Sequence, residues 1–248
     1  MTPAREAAVA VVGAGDFIGA AIAKRFASEG YRVFGGRRTV DKLAPLGVEI
    51  AAAGGRFEPR ALDARIEEQV ADFIAWADAD QPLEAVIFNV GANVNFPLLD
   101  TTDRVFRKVW EMACQAGFLT GREAAKHMLA RGGGSIFFTG ATASVRGGIG
   151  YAAFASAKAG LRGVAQAMAR ELGPKNIHVA HLIIDAGVDT AFVRGRIAAA
   201  RGEAALEAMA PDTLMQPSSI ADAYWDLHRQ SRDGWTFELD LRPFAETW

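Results

Sequence analysis

The sequence predicts an α/β fold in which one open, mostly parallel sheet of about seven strands carries helices on both faces. Short apolar runs of strand length alternate with helix-forming segments along the whole chain. The chain has 248 residues, half of them hydrophobic, which is enough for one substantial core. Because no repeat, linker or low-complexity segment divides it, we expect residues 1–248 to form a single domain.

The composition argues against several classes of protein. A formal net charge of −2 gives no excess that would favour a nucleic acid or an anionic membrane as partner. The one cysteine, Cys114, excludes an internal disulfide and suits a reducing cytoplasm. The four histidines show no ligand spacing with carboxylates, so we expect no metal site. Since no apolar run has the length of a signal peptide or a membrane span, we expect a cytoplasmic protein.

A glycine turn follows the first predicted strand, Ala7 to Val12, and opens a helix that runs to about Glu29. A strand, a glycine turn and a helix in that order form the phosphate-binding unit of a doubly wound, Rossmann-type dinucleotide fold, where the helix N-terminus meets the pyrophosphate charge. A tight packing turn would explain the same glycines, but their position in a βαβ unit favours nucleotide binding. The candidate cofactor-binding residues of this turn are Gly13, Gly15, Phe17, Ile18 and Gly19.

The second predicted strand, Tyr31 to Gly35, bears on the choice of cofactor. Gly36 stands where NAD-selective folds usually carry an acid for the ribose 2′-hydroxyl. Arg37 and Arg38 follow it and are suited to a 2′-phosphate, because guanidinium groups pair bidentately with phosphate, although both would also serve as solvated charges. We therefore expect NADP(H), with NAD as the alternative that an acid in the glycine turn, Asp16, supports.

The remaining elements alternate in the same way. We predict helices over Val40–Ala53, Ala64–Ala79, Thr101 or Thr102 to Ala130, Tyr151–Arg170 and Pro217–Gln230, and strands over Arg56–Leu62, Ala85–Phe88, Ile136–Phe138, Ile177–Ile184 and Trp235–Leu241.

The stretch Ser135 to Leu161 carries the chemistry that the sequence suggests. A strand and a loop rich in Gly, Ser and Thr lead into a helix on which Lys158 follows two aromatic residues, Tyr151 and Phe154. Positions four or seven apart lie close together around a helix, so both rings are expected near the face that carries the lysine.

This arrangement resembles the short-chain dehydrogenase/reductase family, in which a loop Ser, a helical Tyr and a Lys four residues later form the catalytic group. The resemblance spans about Ala7 to Leu241. Here Phe154 occupies the Tyr position, Ala141, thirteen residues earlier, the Ser position, and Cys114 the position of a helical Asn that often completes the group. Phe17 also replaces the middle Gly of the family's Gly-x-x-x-Gly-x-Gly turn.

The resemblance implies further roles. Asp63 would bond the adenine amino group, Asn89 and Gly91 would line the adenosine side, and Thr190 would belong to the turn over the nicotinamide. Asn89 would also serve to tie neighbouring strands together. Lys158 would hold the nicotinamide ribose. Residues 190–216 would form a substrate lid, whose apolar residues suit either a hydrophobic ligand or packing on the core. The helices that contain Cys114 and Lys158 would form the interface of a homodimer or homotetramer, with Phe244 and Trp248 of the tail docking on another subunit.

Two functions remain open at this point. Tyr151 lies seven residues before Lys158, a spacing similar to that of the enoyl reductases of the same family, and Thr142 or Ser144 would supply a second hydroxyl. The alternative for Tyr151 is a position just before the first helical turn, where a tyrosine often serves only in packing. The spacing favours an NADP(H)-dependent oxidoreductase that transfers hydride to or from a carbonyl or enoyl small molecule of unknown identity, with Tyr151 and Lys158 as its catalytic residues. The alternative is an NADP(H)-binding protein without turnover that acts as a sensor or partner subunit.

Overall fold

The computed structural model describes residues 2–246, and Trp248 of the expected docking tail lies outside them. The seven strands are β1 (Ala8–Val12), β2 (Arg32–Arg37), β3 (Arg56–Ala61), β4 (Leu83–Phe88), β5 (Gly134–Thr139), β6 (Ile177–Ile184) and β7 (Glu238–Leu241). They form one sheet in the order β3-β2-β1-β4-β5-β6-β7, and every neighbouring pair is parallel. The predicted fold class is therefore confirmed. The order reverses between β1 and β4, which is where such sheets leave a ligand crevice at the carboxyl ends of their strands.

Helices cover both faces of the sheet. They are α1 (Ile18–Ser28), α2 (Ala44–Ala52), α3 (Glu67–Ala77), α4 (Asp103–Trp110), α5 (Ala116–Arg131), α6 (Ala152–Leu172), α7 (Ala191–Arg201), α8 (Glu203–Glu207) and α9 (Pro217–His228). Val9 and Val11 of β1 pack in the core that includes α1 and α9, whereas Ala8, Ala10 and Val12 pack in the core of α3, α5 and α6. Side chains of a strand alternate between faces, so the fully apolar β1 is buried on both sides.

The boundaries differ from the prediction where local geometry intervenes. The long predicted helix is α4 and α5 joined by a π-helical turn, Glu111–Gln115, and its N-cap is Thr102, whose hydroxyl accepts the Val105 N–H at 3.3 Å. The helix after β2 begins as a 3₁₀ turn, Val40–Leu43. Within residues 2–246 every helix is too short or too polar to cross a bilayer.

Candidate active site

The glycine turn after β1 is shaped by two glycines that no other residue could replace without strain. Gly13 has a φ of +92°, and a Cβ there would lie 2.9 Å from the carbonyl of Asn89. A Cβ on Gly19 would lie 2.3 Å from the carbonyl oxygen of Gly13. Gly15 differs, because a Cβ there would have none of the described atoms within 4 Å. Gly13 and Gly19 therefore close the turn, while Gly15 leaves open space above it.

The first turn of α1 faces this space. In the described chain its N-cap, Phe17, makes no side-chain hydrogen bond to the first N–H groups, and the Phe17 ring is 40% exposed on the wall of the cleft. Ile18 and Gly19 line the same cleft. Free N–H groups at a helix N-terminus favour an anion. All five residues that the sequence singled out here lie together.

A basic cavity of about 360 Å³ lies at the carboxyl ends of β1 to β4. Its walls carry four cations, Arg37, Arg38, Lys42 and Arg65, together with Asp63. Asp63 accepts two hydrogen bonds from the Arg65 side chain, at 2.5 and 2.9 Å, and these bonds lower the pKa of the Asp63 carboxyl. Arg37 pairs with Asp16 at 2.6 Å. Asp16, which favoured NAD in the sequence, is therefore paired with Arg37, which favoured NADP(H).

Asn89 links three strand ends and lies on the wall of the basic cavity. Its Nδ2 donates to the Gly13 carbonyl at 3.1 Å, and its Oδ1 accepts from the Thr139 hydroxyl at 3.1 Å. It thus ties the ends of β1, β4 and β5 together. It also lines the basic cavity beside Gly91, so the structural tie forms part of the cavity wall.

The central cleft, of about 350 Å³, continues from the glycine turn to Lys158. Lys158 is buried, and its Nζ donates to the Thr139 carbonyl at 2.7 Å and to the Val90 carbonyl at 3.2 Å. Burial lowers the pKa of this amine to about 8, and the charge interaction with Cys114 opposes part of that shift. The predicted lysine therefore points at the strand ends that border the cleft.

Thr190 borders the same cleft at the start of α7. Its hydroxyl accepts the Val193 N–H at 3.1 Å, so it caps the helix from a position that is 9% exposed.

Tyr151 is placed differently from the sequence-based expectation. Helix α6 begins at Ala152, and Tyr151 is its N-cap with a φ of −106°. It lines a separate cavity of about 350 Å³, the Tyr151 pocket, which adjoins the central cleft through Asn93, Ala141, Phe154, Ile184 and Ala186. Lys158 does not line that pocket among the residues described. The Phe154 ring lies between them, 6.4 Å from the Tyr151 ring and 6.0 Å from Lys158 Nζ.

One buried carboxylate near this pocket was missed as a site residue. Asp185 is 2% exposed and accepts a hydrogen bond from the Thr142 hydroxyl at 2.5 Å and from Arg146 Nη2 at 2.9 and 3.1 Å. Arg242 lies 3.4 Å from the same carboxylate. An acid that directly follows the mostly apolar β6 was the signal that could have found it.

The two candidate hydroxyls differ in access. Thr142 lines the Tyr151 pocket, but its proton is directed at Asp185. Ser144 is buried; its Oγ accepts the Ala141 N–H at 3.1 Å and lies 3.4 Å from His181 Nε2. Burial lowers the pKa of His181 to about 4, so this histidine is neutral at pH 7. Ser144 and His181 are therefore structural, and Thr142 is the hydroxyl that reaches a cavity.

Cys114 packs against Phe154 and Ala157 in a small apolar cluster, as expected for a buried small hydrophobe. Burial raises the pKa of its thiol. Within residues 2–246, no group of three His, Cys, Asp or Glu side chains is arranged to hold a metal ion.

A larger groove of about 640 Å³ lies between α1, α2 and α9. Four of its charged side chains pair with one another, Lys24 with Glu49 and Arg25 with Asp222 at 2.7 Å. Since it holds neither Lys158 nor Tyr151, we place the candidate active site in the central cleft and the Tyr151 pocket instead.

Comparison with known proteins identifies the family. The sequence profile described as short chain dehydrogenase matches residues 7–200, which is more than half of the chain. The chain belongs to the short chain dehydrogenase family. Membership assigns it to the NAD(P)-dependent oxidoreductases of that type.

Individual relatives agree with this assignment. A crystal structure of a short-chain dehydrogenase from Rhodopseudomonas palustris is 60% identical, covers 97% of this chain and 100% of its own, and superposes with a TM-score of 0.84. A metagenomic short-chain oxidoreductase in complex with NADP is 25% identical over 97% of this chain and 98% of its own, with a TM-score of 0.81. The 3-oxoacyl-acyl-carrier-protein reductase MabA of Mycobacterium tuberculosis is 29% identical over 187 residues, 75% of this chain and 71% of that protein.

Proposed function

We propose that this protein is an NADP(H)-dependent oxidoreductase that transfers hydride to or from a carbonyl or enoyl small molecule, with Lys158 and Tyr151 in place of the usual catalytic group. The observation that carries the proposal is the position of Lys158, a buried amine on the wall of the central cleft at the ends of β4 and β5. A charge that is costly to bury is retained where it can act on a ligand.

The basic cavity and the central cleft share the glycine turn as a wall, and together they suit a dinucleotide. Gly15 and Gly91 leave open space on the cavity walls, since a Cβ on either would have no described atom within 4 Å. The N-terminus of α1 offers N–H groups to a pyrophosphate. Arg38 and Lys42, on the wall of the basic cavity, are placed for a 2′-phosphate, and Asp63, Asn89 and Gly91 line the adenosine side. The NADP bound to the metagenomic relative supports this choice of cofactor.

Bound NADP(H) would supply or accept the hydride. Lys158 would hold the sugar at the nicotinamide end. With a pKa of about 8 its amine is mostly protonated at pH 7, so it also stabilises negative charge that develops on a substrate oxygen. Thr190, which caps α7, would border the nicotinamide. Phe154 cannot donate a proton, and its ring separates the lysine from the next hydroxyl.

That next hydroxyl is Tyr151. Arg196 Nη2 lies 3.5 Å from the Tyr151 Oη and donates toward it, which leaves the phenolic proton available to a substrate oxygen in the pocket. Tyr151 would therefore protonate the substrate, or stabilise its enolate, from the pocket side while Lys158 acts from the cleft side. Residues 190–216, which include α7 and Arg196, would form the lid over this pocket.

The test uses the purified protein and two single variants. We expect NADPH to bind more tightly than NADH in fluorescence titrations, and Tyr151→Phe to lower NADPH-dependent turnover of ketones, aldehydes or enoyl thioesters by about 10²- to 10⁴-fold. Lys158→Ala should lower turnover as well. Unchanged turnover in Tyr151→Phe would contradict the role of Tyr151. Binding without turnover of any of these compounds would instead indicate a cofactor-binding sensor or partner subunit.

We also propose a homodimer or homotetramer in the cytoplasm. Large apolar side chains of α4 and α5 are 40–41% exposed, namely Phe106, Trp110, Phe118 and Leu129. Burying them between subunits is favourable, so sedimentation should give a species larger than 26.4 kDa.

A further inference from the structure

The Tyr151 pocket carries a cation on its wall and no accessible carboxylate. Of its described lining residues Arg146 is the one that is charged, and none is Asp or Glu. The nearest acid, Asp185, is 2% exposed and already accepts from Thr142 and Arg146. Arg146 and Asp185 balance each other, so the pair leaves no uncompensated carboxylate on the wall of the pocket.

A second cation stands at the edge of this pocket. Arg196, an exposed residue of α7, places Nη2 3.5 Å from the Tyr151 Oη. No carboxylate within residues 2–246 lies at ion-pair distance from it, whereas Arg194 on the same helix is held by Asp189, with Nη2 2.8 Å from Oδ2. The Arg196 guanidinium therefore brings an unneutralised charge to the one phenolic hydroxyl that lines the pocket.

We propose that the Tyr151 pocket binds the carboxylate of the substrate, so that the compound oxidised or reduced is a keto acid, hydroxy acid or enoic acid. This inference rests on the proposed function and names its substrate class. Arg196 is the carboxylate ligand, because a guanidinium can pair with both oxygens of one carboxylate, and the Tyr151 hydroxyl remains available to the reacting group. Arg146 also lines the pocket, where it is paired with Asp185.

The geometry also sets the length of the acid. The reacting carbon must lie in the central cleft near Lys158, and the Phe154 ring lies between that cleft and Tyr151. The Tyr151 and Phe154 ring centres are 6.4 Å apart. Carboxylate and reacting carbon are therefore separated by several bonds, so an acid with its carbonyl directly beside the carboxylate is too short. A pocket of about 350 Å³ suits a small acid.

A competing explanation is that Arg196 only holds α7 against Tyr151. Steady-state kinetics with saturating NADPH distinguish the two. The substrates are straight-chain keto acids with an increasing number of methylene groups between the two functions, each paired with its neutral primary amide. We expect kcat/KM to be about 10- to 100-fold higher for the acid of a pair, and highest when several methylene groups separate the functions.

The variants are Arg196→Gln and the matched control Arg229→Gln, an exposed arginine at the C-terminal end of α9 and outside the lid. Arg196→Gln should raise KM for the acids about 10- to 100-fold and leave the amides unchanged, while Arg229→Gln should change neither. Equal KM for acid and amide in the wild type, or an equal loss on both in Arg196→Gln, would overturn the inference.

A binding measurement separates this inference from the proposed function. Calorimetry with the wild-type protein and NADP⁺ should detect glutarate but not its diamide, and Arg196→Gln should abolish the signal. Glutarate binding that depends on Arg196, without turnover of any keto acid, would support the carboxylate site and contradict the oxidoreductase proposal. Turnover of neutral ketones with no glutarate binding would support the oxidoreductase and overturn the carboxylate site.

Discussion

Lys158 Nζ lies 6.0 Å from the centre of the Phe154 ring, one helical turn away on α6. The family pattern places a tyrosine at this position, so the ring is retained and the hydroxyl is lost. The lysine compensates by donating to two main-chain carbonyls, those of Val90 and Thr139. Ala141, at the position of the family's serine, borders both cavities together with Phe154. Ala141 and Phe154 therefore present no hydroxyl to either cavity.

Restoring those hydroxyls should increase activity. We expect Phe154→Tyr combined with Ala141→Ser to raise NADPH-dependent reduction of simple aldehydes and ketones by about 10²- to 10⁴-fold, because a general acid and an oxyanion donor would face the same space. The measurement is the rate of NADPH oxidation with a carbonyl panel. Phe154→Leu is the control for a changed ring without a new hydroxyl. A folded double variant that is no faster than the wild type would show that the substrate carbonyl does not approach Lys158.

The basic cavity predicts which residues select the cofactor. Arg37 and Arg65 are paired with Asp16 and Asp63, whereas neither Arg38 nor Lys42 has an ion-pair partner in the described part of the chain. We expect Arg38→Ala to raise KM for NADPH by about tenfold, since it removes a charge-assisted contact to the 2′-phosphate, and to leave KM for NADH unchanged.

The control for this variant is Lys175→Ala. Lys175 is exposed and lies two residues before β6, at the amino-terminal edge of the sheet and far from the cavity. The Lys175→Ala substitution removes one positive charge at a position that does not contact the cofactor. An equal rise of KM for both nucleotides in Arg38→Ala would contradict a role in 2′-phosphate recognition.

The sheet could be predicted because its signals are local. A run such as Ala8–Val12 is apolar at every position, which a parallel strand buried on both faces requires. The glycine turn could be predicted equally well, because its geometry requires glycine. Gly13 has a φ of +92°, and Gly19 lies against the Gly13 carbonyl, so neither position tolerates a side chain. The positions of Lys158 and Asn89 in the cleft follow from these elements, because parallel strands end at one edge of the sheet.

Other features depended on contacts that the sequence does not display. Tyr151 was expected near the face of Lys158 on the assumption that the helix includes it, but Gly150, with a φ of +80°, turns the chain so that Tyr151 only caps the helix. Asp185 accepts hydrogen bonds from Thr142 and Arg146, which lie about forty residues earlier in the chain, so its role could not be predicted from its neighbours in sequence. Pairings of this kind arise only when β5 and β6 lie side by side.

Asp185 should contribute to stability. Asp185→Asn replaces a carboxylate that accepts from Thr142 and Arg146 with an amide that faces the Arg146 and Arg242 guanidinium groups. We expect the free energy of unfolding to fall by about 1–3 kcal/mol, less than for a fully buried pair because the Arg146 side chain is 38% exposed. Urea denaturation measures the change. Asp240→Asn is the matched control, since Asp240 also pairs with Arg242 but is 36% exposed, and it should cost at most about 1 kcal/mol. Equal losses in both variants would contradict the special role of the buried carboxylate.

The buried amine of Lys158 should give stability a defined pH dependence. Its pKa is about 8 in the folded protein, against an ordinary value of 10.5. Below pH 8 the amine is charged in both states, so the cost of burying the charge is fully present. Between about pH 8 and 10.5 the unfolded chain binds more protons than the folded one, and the free energy of unfolding therefore rises with pH.

Comparison with Lys158→Met isolates this effect from all other titrating groups. At pH 7 removal of the buried charge should stabilise the folded protein by about 3 kcal/mol. Loss of the donor to the Val90 and Thr139 carbonyls should cost about 1–2 kcal/mol. The variant should therefore be more stable than the wild type by about 1–2 kcal/mol. As the pH rises through 8 toward 10.5 this advantage should vanish and then reverse, because the neutral amine keeps its two hydrogen bonds without a charge to bury. Urea denaturation of both proteins at intervals from pH 7 to 10 tests the expectation. A constant difference over that range would mean that the folded and unfolded chains bind the same number of protons, so that burial does not lower the pKa of the Lys158 amine.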